Sequence, residues 1–294
     1  MTQAARARWM VLAAAVLFST GGAAIKATAY SAWQVAGIRS LLAVPILLWL
    51  VPRRQRQFDL LSLGVAAAYA TMMVLFVLSN KLTTAANAIF LQSTSPFYIV
   101  LLSPLLLQER MTRRQVPVLV LMALGMGCFV WAEDAPSAVA TDPWLGNLAA
   151  MGAGAAWGLT VMGLRRMAAM RGPGSAAWGA ALGNLGAAAA GLTMAYPLEV
   201  GGPVDWGLLL YLGVAQIGLA YVLLTRGVAS LPALETALLL MVEPAISPIW
   251  AWGVHGELPS TLAVVGAVII SGGVVWQAVG AARGADPSPD EALG

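Results

Sequence analysis

Cysteine is almost absent. Cys128 stands alone in an apolar run, which rules out an intrachain disulfide and a thiolate metal site. Histidine is as scarce, with His255 the single residue. The missing His-Glu-x-x-His signature and the missing pair of intramembrane aspartates argue against a membrane enzyme. No Gly-x-x-x-x-Gly-Lys-Ser/Thr stretch occurs, so the phosphate cradle needed for direct ATP drive is lacking. No catalytic residue, metal or cofactor is expected.

Charge is the other shortage. Asp, Glu, Lys and Arg make up 10% of the chain, where a soluble surface calls for about a quarter to a third. Hydrophobic residues account for 60% and the mean hydropathy is +0.80. The partner of such a chain is a lipid bilayer. Its net charge of +3 lies in short clusters between apolar runs, which read as topology signals and not as a nucleic-acid surface.

Apolar runs long enough to cross about 30 Å of hydrocarbon as helix fall near residues 9–28, 33–51, 60–80, 84–107 and 114–132, then 145–168, 174–197, 206–228, 232–254 and 260–281. Ten spans are expected, five in each half. Arg6 and Arg8 before the first run and Ala27-Thr28-Ala29 after it imitate a cleavable signal peptide. The repeat partner of this span deep in the chain favours its retention.

The halves repeat each other. Pro96 is followed thirteen residues later by Glu109, and Pro244 thirteen residues later by Glu257, 148 positions on. Asn87–Pro96 overlays Glu235–Pro244, Gly125 falls opposite Gly273, and Phe18–Lys26 overlays Trp157–Arg165 at a shorter offset. With the N-terminus in the cytoplasm, Arg6, Arg8, Arg53, Arg54, Arg56, Arg110, Arg113, Arg114, Arg165, Arg166, Arg171, Arg226 and Arg283 all fall on the inner side. Outer connections carry Glu133, Asp134, Asp142, Glu199 and Asp205, as the positive-inside rule requires. Five spans per half force the second half upside down relative to the first. The expected fold is therefore an all-α integral membrane protein of ten transmembrane helices, arranged as two inverted five-helix repeats. Residues 1–8 form a cytoplasmic N-terminus, 9–135 and 136–281 the repeats, and 282–294 a polar, disordered cytoplasmic tail. Inverted repeats are the architecture of many secondary transporters, because near-equal halves can exchange which side of a midplane site is open.

Each repeat has a proline-broken fourth span, then a glutamate, then a glycine-rich fifth span: Ser95-Pro96 to Glu109, and Glu243-Pro244 to Glu257. This pattern resembles the EamA repeats of the drug/metabolite transporter superfamily over residues 9–280. Within that superfamily the chain looks most like the YddG-type bacterial amino-acid exporters. The resemblance implies a cytoplasmic (inner) membrane protein with both termini inside, exporting aromatic and other neutral amino acids by alternating access. Other metabolites or drugs, a channel, and an integral membrane enzyme are the alternatives. The family's common tryptophan-glycine pair stands at Trp157-Gly158, but Phe18-Ser19 occupies the matching place in the first repeat.

A proline inside a span frees backbone carbonyls that only protein or a water-filled cavity can satisfy. Pro96 and Pro244 are therefore expected at gating helix breaks, with Asn87, Gln92, Ser95 and Tyr98 around the first and Glu243, Ser247 and Trp250 around the second. Glu243, the acidic group near the middle of a span, is either a partner for a substrate ammonium or proton, or one end of a structural hydrogen bond. Tyr69, Trp157 and Tyr221 complete the candidate substrate-binding set, since ring faces attract ammonium groups and stack on aromatic solutes. Arg39 reads either as a carboxylate partner or as a headgroup-seeking side chain. Trp9, Trp33, Trp131, Trp144 and Trp206 read as an interfacial belt. The small-residue pairs Gly154/Gly158 and Gly179/Gly183 suit helix packing inside one molecule, and a monomer is expected.

Overall fold

Uncharged runs of Ala, Leu, Val and Gly present no face to water, and in hydrocarbon such a chain can satisfy its own backbone as helix. The computed structural model describes residues 3–106, 116–131, 140–256 and 260–284. No extended strand occurs among the described residues. Glu109, Glu257, Arg110, Arg113, Arg114, Glu133 and Asp134, which entered the repeat and topology readings, lie outside them.

All ten runs are helical. The first span is α1 (Gln3–Ser19) and α2 (Gly21–Ala27), parted at Thr20; the second and third are α3 (Ala32–Trp49) and α4 (Leu60–Leu82). The fourth divides into α5 (Ala85–Gln92) and α6 (Ser95–Leu106), and the fifth is α7 (Val116–Trp131). In the second half come α8 (Pro143–Arg171) and α9 (Pro173–Met194). The eighth span runs from α10 (Pro203–Tyr211) through a π-helical stretch at Leu212–Leu219 into α11 (Ala220–Val228). The ninth divides into α12 (Ala233–Leu240) and α13 (Val242–His255), and the tenth is α14 (Thr261–Gly284). Seven of these stretches are long and apolar enough to cross a bilayer; α7, α9 and α14 are the rest.

Polar residues at the boundaries cap the helices. Ser31 accepts from the Gln34 N–H at 3.3 Å, Thr84 from Asn87 at 3.2 Å and Asp142 from Leu145 at 3.1 Å, and each bond satisfies a donor left over in a first helical turn. Asp59 and Ser62 form a reciprocal capping box at the start of α4, with bonds of 2.9 and 3.0 Å. Gly172 alone separates α8 from α9, and its φ of +91° is open to glycine at little cost.

The helices pair as a two-fold axis dictates. α3 lies along its counterpart α9, and α7 along α14. α4 packs on α8 and α9; correspondingly, the α10–α11 span packs on α1 and α3. α5 and α6 lie on α8 as α12 and α13 lie on α1. Directions follow from glycine contacts. Leu75 meets Gly152 and Thr83 meets Gly146, so α4 and α8 are antiparallel; Gly37 near the start of α3 meets Gly191 near the end of α9. Counterparts that run antiparallel place the axis across the helices, in the membrane plane, and the repeats are inverted.

The α3–α9 crossing is set by backbone contact. A Cβ on Gly37 would stand 2.8 Å from the Leu192 nitrogen, and one on Gly191 2.5 Å from the Gly37 nitrogen. Neither neighbour can rotate aside. Gly37→Ala and Gly191→Ala should each lower stability in detergent by about 1–3 kcal/mol, read as a drop in Tm. Gly64→Ala, where nothing lies within 4 Å, should gain up to about 1 kcal/mol from helix propensity. Equal melting of the Gly37 and Gly64 variants would refute the close-crossing account.

Asp59 lies outside the spans, where the Ser62 backbone N–H first and the Arg171 guanidinium second hold its carboxyl below the usual carboxylate range. A depressed folded pKa means that its stabilisation is complete above the unfolded value of about 3.9. That stabilisation is lost as the pH falls through the lower folded value. The Tm of the wild type should therefore fall on the acid side of about pH 4, and Asp59→Asn should show a flatter acid limb. Superimposable acid limbs would remove this carboxylate from the acid sensitivity.

Candidate functional site

The helix breaks converge at mid-depth. Proline at position i cannot donate to the carbonyl at i−4, which for Pro96 is Gln92 and for Pro244 is Leu240, and α5 and α12 end at those two residues. The prolines themselves stand in the first turn of α6 and α13, where a missing donor costs little. The breaks thus precede the prolines, at Ser93-Thr94 and at Met241. Beside the breaks, Ser93 Oγ donates to Ile89 O at 2.7 Å, Thr94 Oγ1 to Leu91 O at 2.5 Å, and Ser247 Oγ to Glu243 O at 2.7 Å.

The repeat-related pairs seat these breaks. Gly154 and Gly158 of α8 face the first: a Cβ would stand 2.9 Å from Gln92 O and 3.2 Å from Ser95 O respectively. Ser19 faces the second, accepting from Ser247 Oγ at its carbonyl (3.1 Å) and from Trp250 Nε1 at its hydroxyl (3.1 Å). Glycine and serine at matching places thus do the same work, and the gaps they leave fit packing within one molecule. Two further irregularities were not foreseen: the interruption at Thr20 and the π-helical stretch at Leu212–Leu219. Gly21, just past Thr20, makes room for Gln216 of that stretch, whose Nε2 a Cβ would meet at 2.6 Å.

Between them lies a cavity lined by Phe18, Arg39, Met72, Met73, Phe76, Gln92, Trp157, Gln216, Ile217, Tyr221 and Glu243. Its water-accessible space is about 30 Å³, enough for about two waters. One wall is aromatic. Phe18 meets Tyr221 edge-on at 5.2 Å and Trp157 at 6.3 Å, and Trp157 meets Tyr221 at 6.1 Å. Phe18 and Trp157 are the repeat-matched residues, so the axis passes close to their contact.

The cavity also holds a guanidinium and a carboxyl group. Arg39 is 1% exposed and Glu243 9%. Neither belongs to an ion pair among the described residues; those pairs are Arg8–Glu235 and Arg171–Asp59, near the helix ends. Tyr69 stands one layer behind, its ring 4.9 Å from Tyr221 and its hydroxyl accepting from Asn184 Nδ2 at 2.7 Å.

Of the candidate side chains, the structure brings Gln92, Trp157, Tyr221 and Glu243 to the cavity. Asn87 and Ser95 are buried in the packing around the first break, Tyr98 is half-buried against Phe97, and Trp250 is 40% exposed. None of these four lines the cavity; Trp250 lies two turns beyond Glu243 on the same face of α13 and donates to Ser19 instead. Sequence reasoning left out Phe18, Met72, Met73, Phe76, Gln216 and Ile217. The available signals were Gln216, an amide in an otherwise apolar span, and the alignment of Phe18 with Trp157.

Hydrogen bonds tie the spans together at both ends of the bundle. At the end read as external, Lys81 Nζ donates to Thr28 O at 2.8 Å, Ala29 N to Asp205 Oδ1 at 2.8 Å, and Gln34 Nε2 to Glu199 O at 2.8 Å. At the opposite end Arg8 pairs with Glu235 at 2.7 Å, Arg165 donates to Leu231 O, and Arg166 donates to Leu106 O at 2.6 Å.

A solved crystal structure of a protein 19% identical to this chain superposes with a TM-score of 0.68, covering 95% of this chain and 99% of that one. At that identity the likeness establishes the fold alone. No curated protein matches the chain. The model of the EamA-like transporter family matches residues 6–131 and 144–278, once in each half. With nearly the whole chain matched, this multi-pass membrane protein belongs to the EamA-like transporter family.

Proposed function

We propose that the chain is a secondary transporter that exports amino acids, aromatic and other neutral ones such as methionine, by alternating access. The observation that carries this reading is the central cavity, where an aromatic wall, Arg39 and Glu243 meet at the junction of inverted halves. Phe18, Trp157 and Tyr221 offer faces and edges to an apolar or aromatic side chain. Glu243 offers a counter-charge to an ammonium. The repeats occupy residues 9–135 and 136–281, and the arginine clusters set both termini on the cytoplasmic side of an inner membrane. The protein acts as a monomer.

A pore is disfavoured by a space of about 30 Å³, which admits water and no solute. Passage therefore requires the halves to rearrange. The interrupted first, fourth and ninth spans supply hinges, since a helix already broken bends without losing further backbone bonds.

Proteoliposomes loaded with unlabelled amino acid should accumulate labelled tryptophan or methionine by saturable counterflow, and a panel of amino acids should rank neutral, apolar side chains first. Conductance without saturation would establish a channel instead, and failure of every amino acid to exchange would defeat the substrate assignment. Glu243→Gln keeps the side-chain volume while removing the charge. It should cut amino-acid exchange about tenfold or more, the worth of one charged hydrogen bond. Unaltered exchange in a folded variant would leave Glu243 a structural residue.

A further inference from the structure

Arg39 belongs to the same cavity as Glu243, yet it has almost no partners. It stands seven residues into α3, about 10 Å along the helix, and at 1% exposure its guanidinium does not reach a headgroup. The snorkelling reading is therefore set aside. Its Nη2 lies 3.4 Å from Met73 O and 3.8 Å from Met73 Sδ, both long for hydrogen bonds, and the guanidinium carbon sits 5.8 Å from the Phe76 ring centre. Nε has no partner. A guanidinium carries five donors, and buried donors are nearly always satisfied.

Glu243 is the mirror case: its carboxylate makes no ion pair among the described residues, although it lines the same space. Gln216 adds an acceptor to the deficit. Its Nε2 reaches Phe18 O at 3.5 Å while Oε1 has no partner. Charges buried without partners are costly, and the direct remedy, contact between Arg39 and Glu243, is not adopted. A guanidinium and a carboxyl group held apart in one small cavity suit a ligand that carries both complements. A simple cation would leave Arg39 unmatched and add to its charge. A simple anion would do the same to Glu243.

Resting on the exporter reading above, we infer that Arg39 is the carboxylate subsite of a zwitterion cradle in which Glu243, with Gln216 Oε1 beside it, receives the ammonium. Arginine suits that role because its planar fork matches a carboxylate bidentately. The aromatic wall of Phe18, Trp157 and Tyr221 is left for the side chain. The cradle thus selects for the α-amino-acid head, and the wall for what hangs from it. Without solute, the space of about 30 Å³ leaves room for waters at the charged groups.

The test uses three competitors with one indole ring against labelled tryptophan counterflow in proteoliposomes: tryptophan, tryptamine without the carboxylate, and indole-3-propionate without the ammonium. In the wild type, tryptophan should compete about tenfold or more better than either analogue, as loss of one charged hydrogen-bonding group predicts. In Arg39→Gln the half-saturation concentration for tryptophan should rise about tenfold or more with little change in maximal rate, and the preference for tryptophan over tryptamine should vanish. Arg39→Lys, which keeps a charge but loses the fork, should recover part of that preference.

Equal competition by tryptamine and tryptophan in the wild type would overturn the subsite while leaving amino-acid export standing. Retained discrimination in folded Arg39→Gln would do the same. Absence of any amino-acid counterflow would overturn the exporter reading and the cradle together. Should Arg39→Gln fail to fold, the wild-type competitor series still decides.

Discussion

In hydrocarbon, a backbone carbonyl that loses its helical partner must find another inside the protein, or the break that freed it cannot persist. The centre of this molecule is built around that constraint. The fourth and ninth spans are broken four residues before a proline, and the first span is parted at Thr20. Short hydroxyl side chains bond the carbonyls of neighbouring residues. Glycines at 154 and 158 let the first break approach α8, while Ser19 supplies both an acceptor carbonyl and a hydroxyl to the second. The space left where three interrupted helices and a π-helical stretch meet is the cavity, so the same residues that permit the breaks also position the site.

The repeat makes these devices two-fold without making them identical. Phe18 and Trp157 occupy matching positions and touch, whereas Ser19 and Gly158 occupy matching positions and solve one packing problem differently. Charge departs furthest from symmetry. Glu243 overlays Ser95, and Arg39 has no basic counterpart in α9, where every residue is uncharged. A scaffold with equal halves thus encloses a site with distinct ends, which an oriented, asymmetric solute needs.

Much of the fold was legible in the sequence because length and hydropathy are one-dimensional quantities. Runs of apolar residues marked the spans, and the paired prolines marked the breaks to within a few residues. The site was less legible. A soluble helix advertises its inner face by apolar periodicity, but α3, α5 and α13 are apolar nearly all round. Depth along each span could therefore be read, and rotation about its axis could not. Tyr98 shares a span with the first break yet does not line the cavity, Trp250 reaches Ser19 two turns beyond Glu243, and Arg39 turns fully inward. The break at Thr20 carries no proline and the π-helical stretch no motif, because both arise from packing against other spans.

Polar contacts hold the spans together at each end. At the outer end these are three hydrogen bonds from loop backbone and polar side chains, at the inner end arginines bonded to one carboxylate and two carbonyls. Bonds of this kind are worth about 1 kcal/mol each where water competes, so either set can be exchanged for hydration at modest cost. The apolar crossing at Gly37 and Gly191 cannot be so exchanged, since separating it would expose backbone already in contact. Motion is thus cheapest at the helix ends and breaks and dearest along the α3–α9 seam. Arg39 projects from α3 beside that seam.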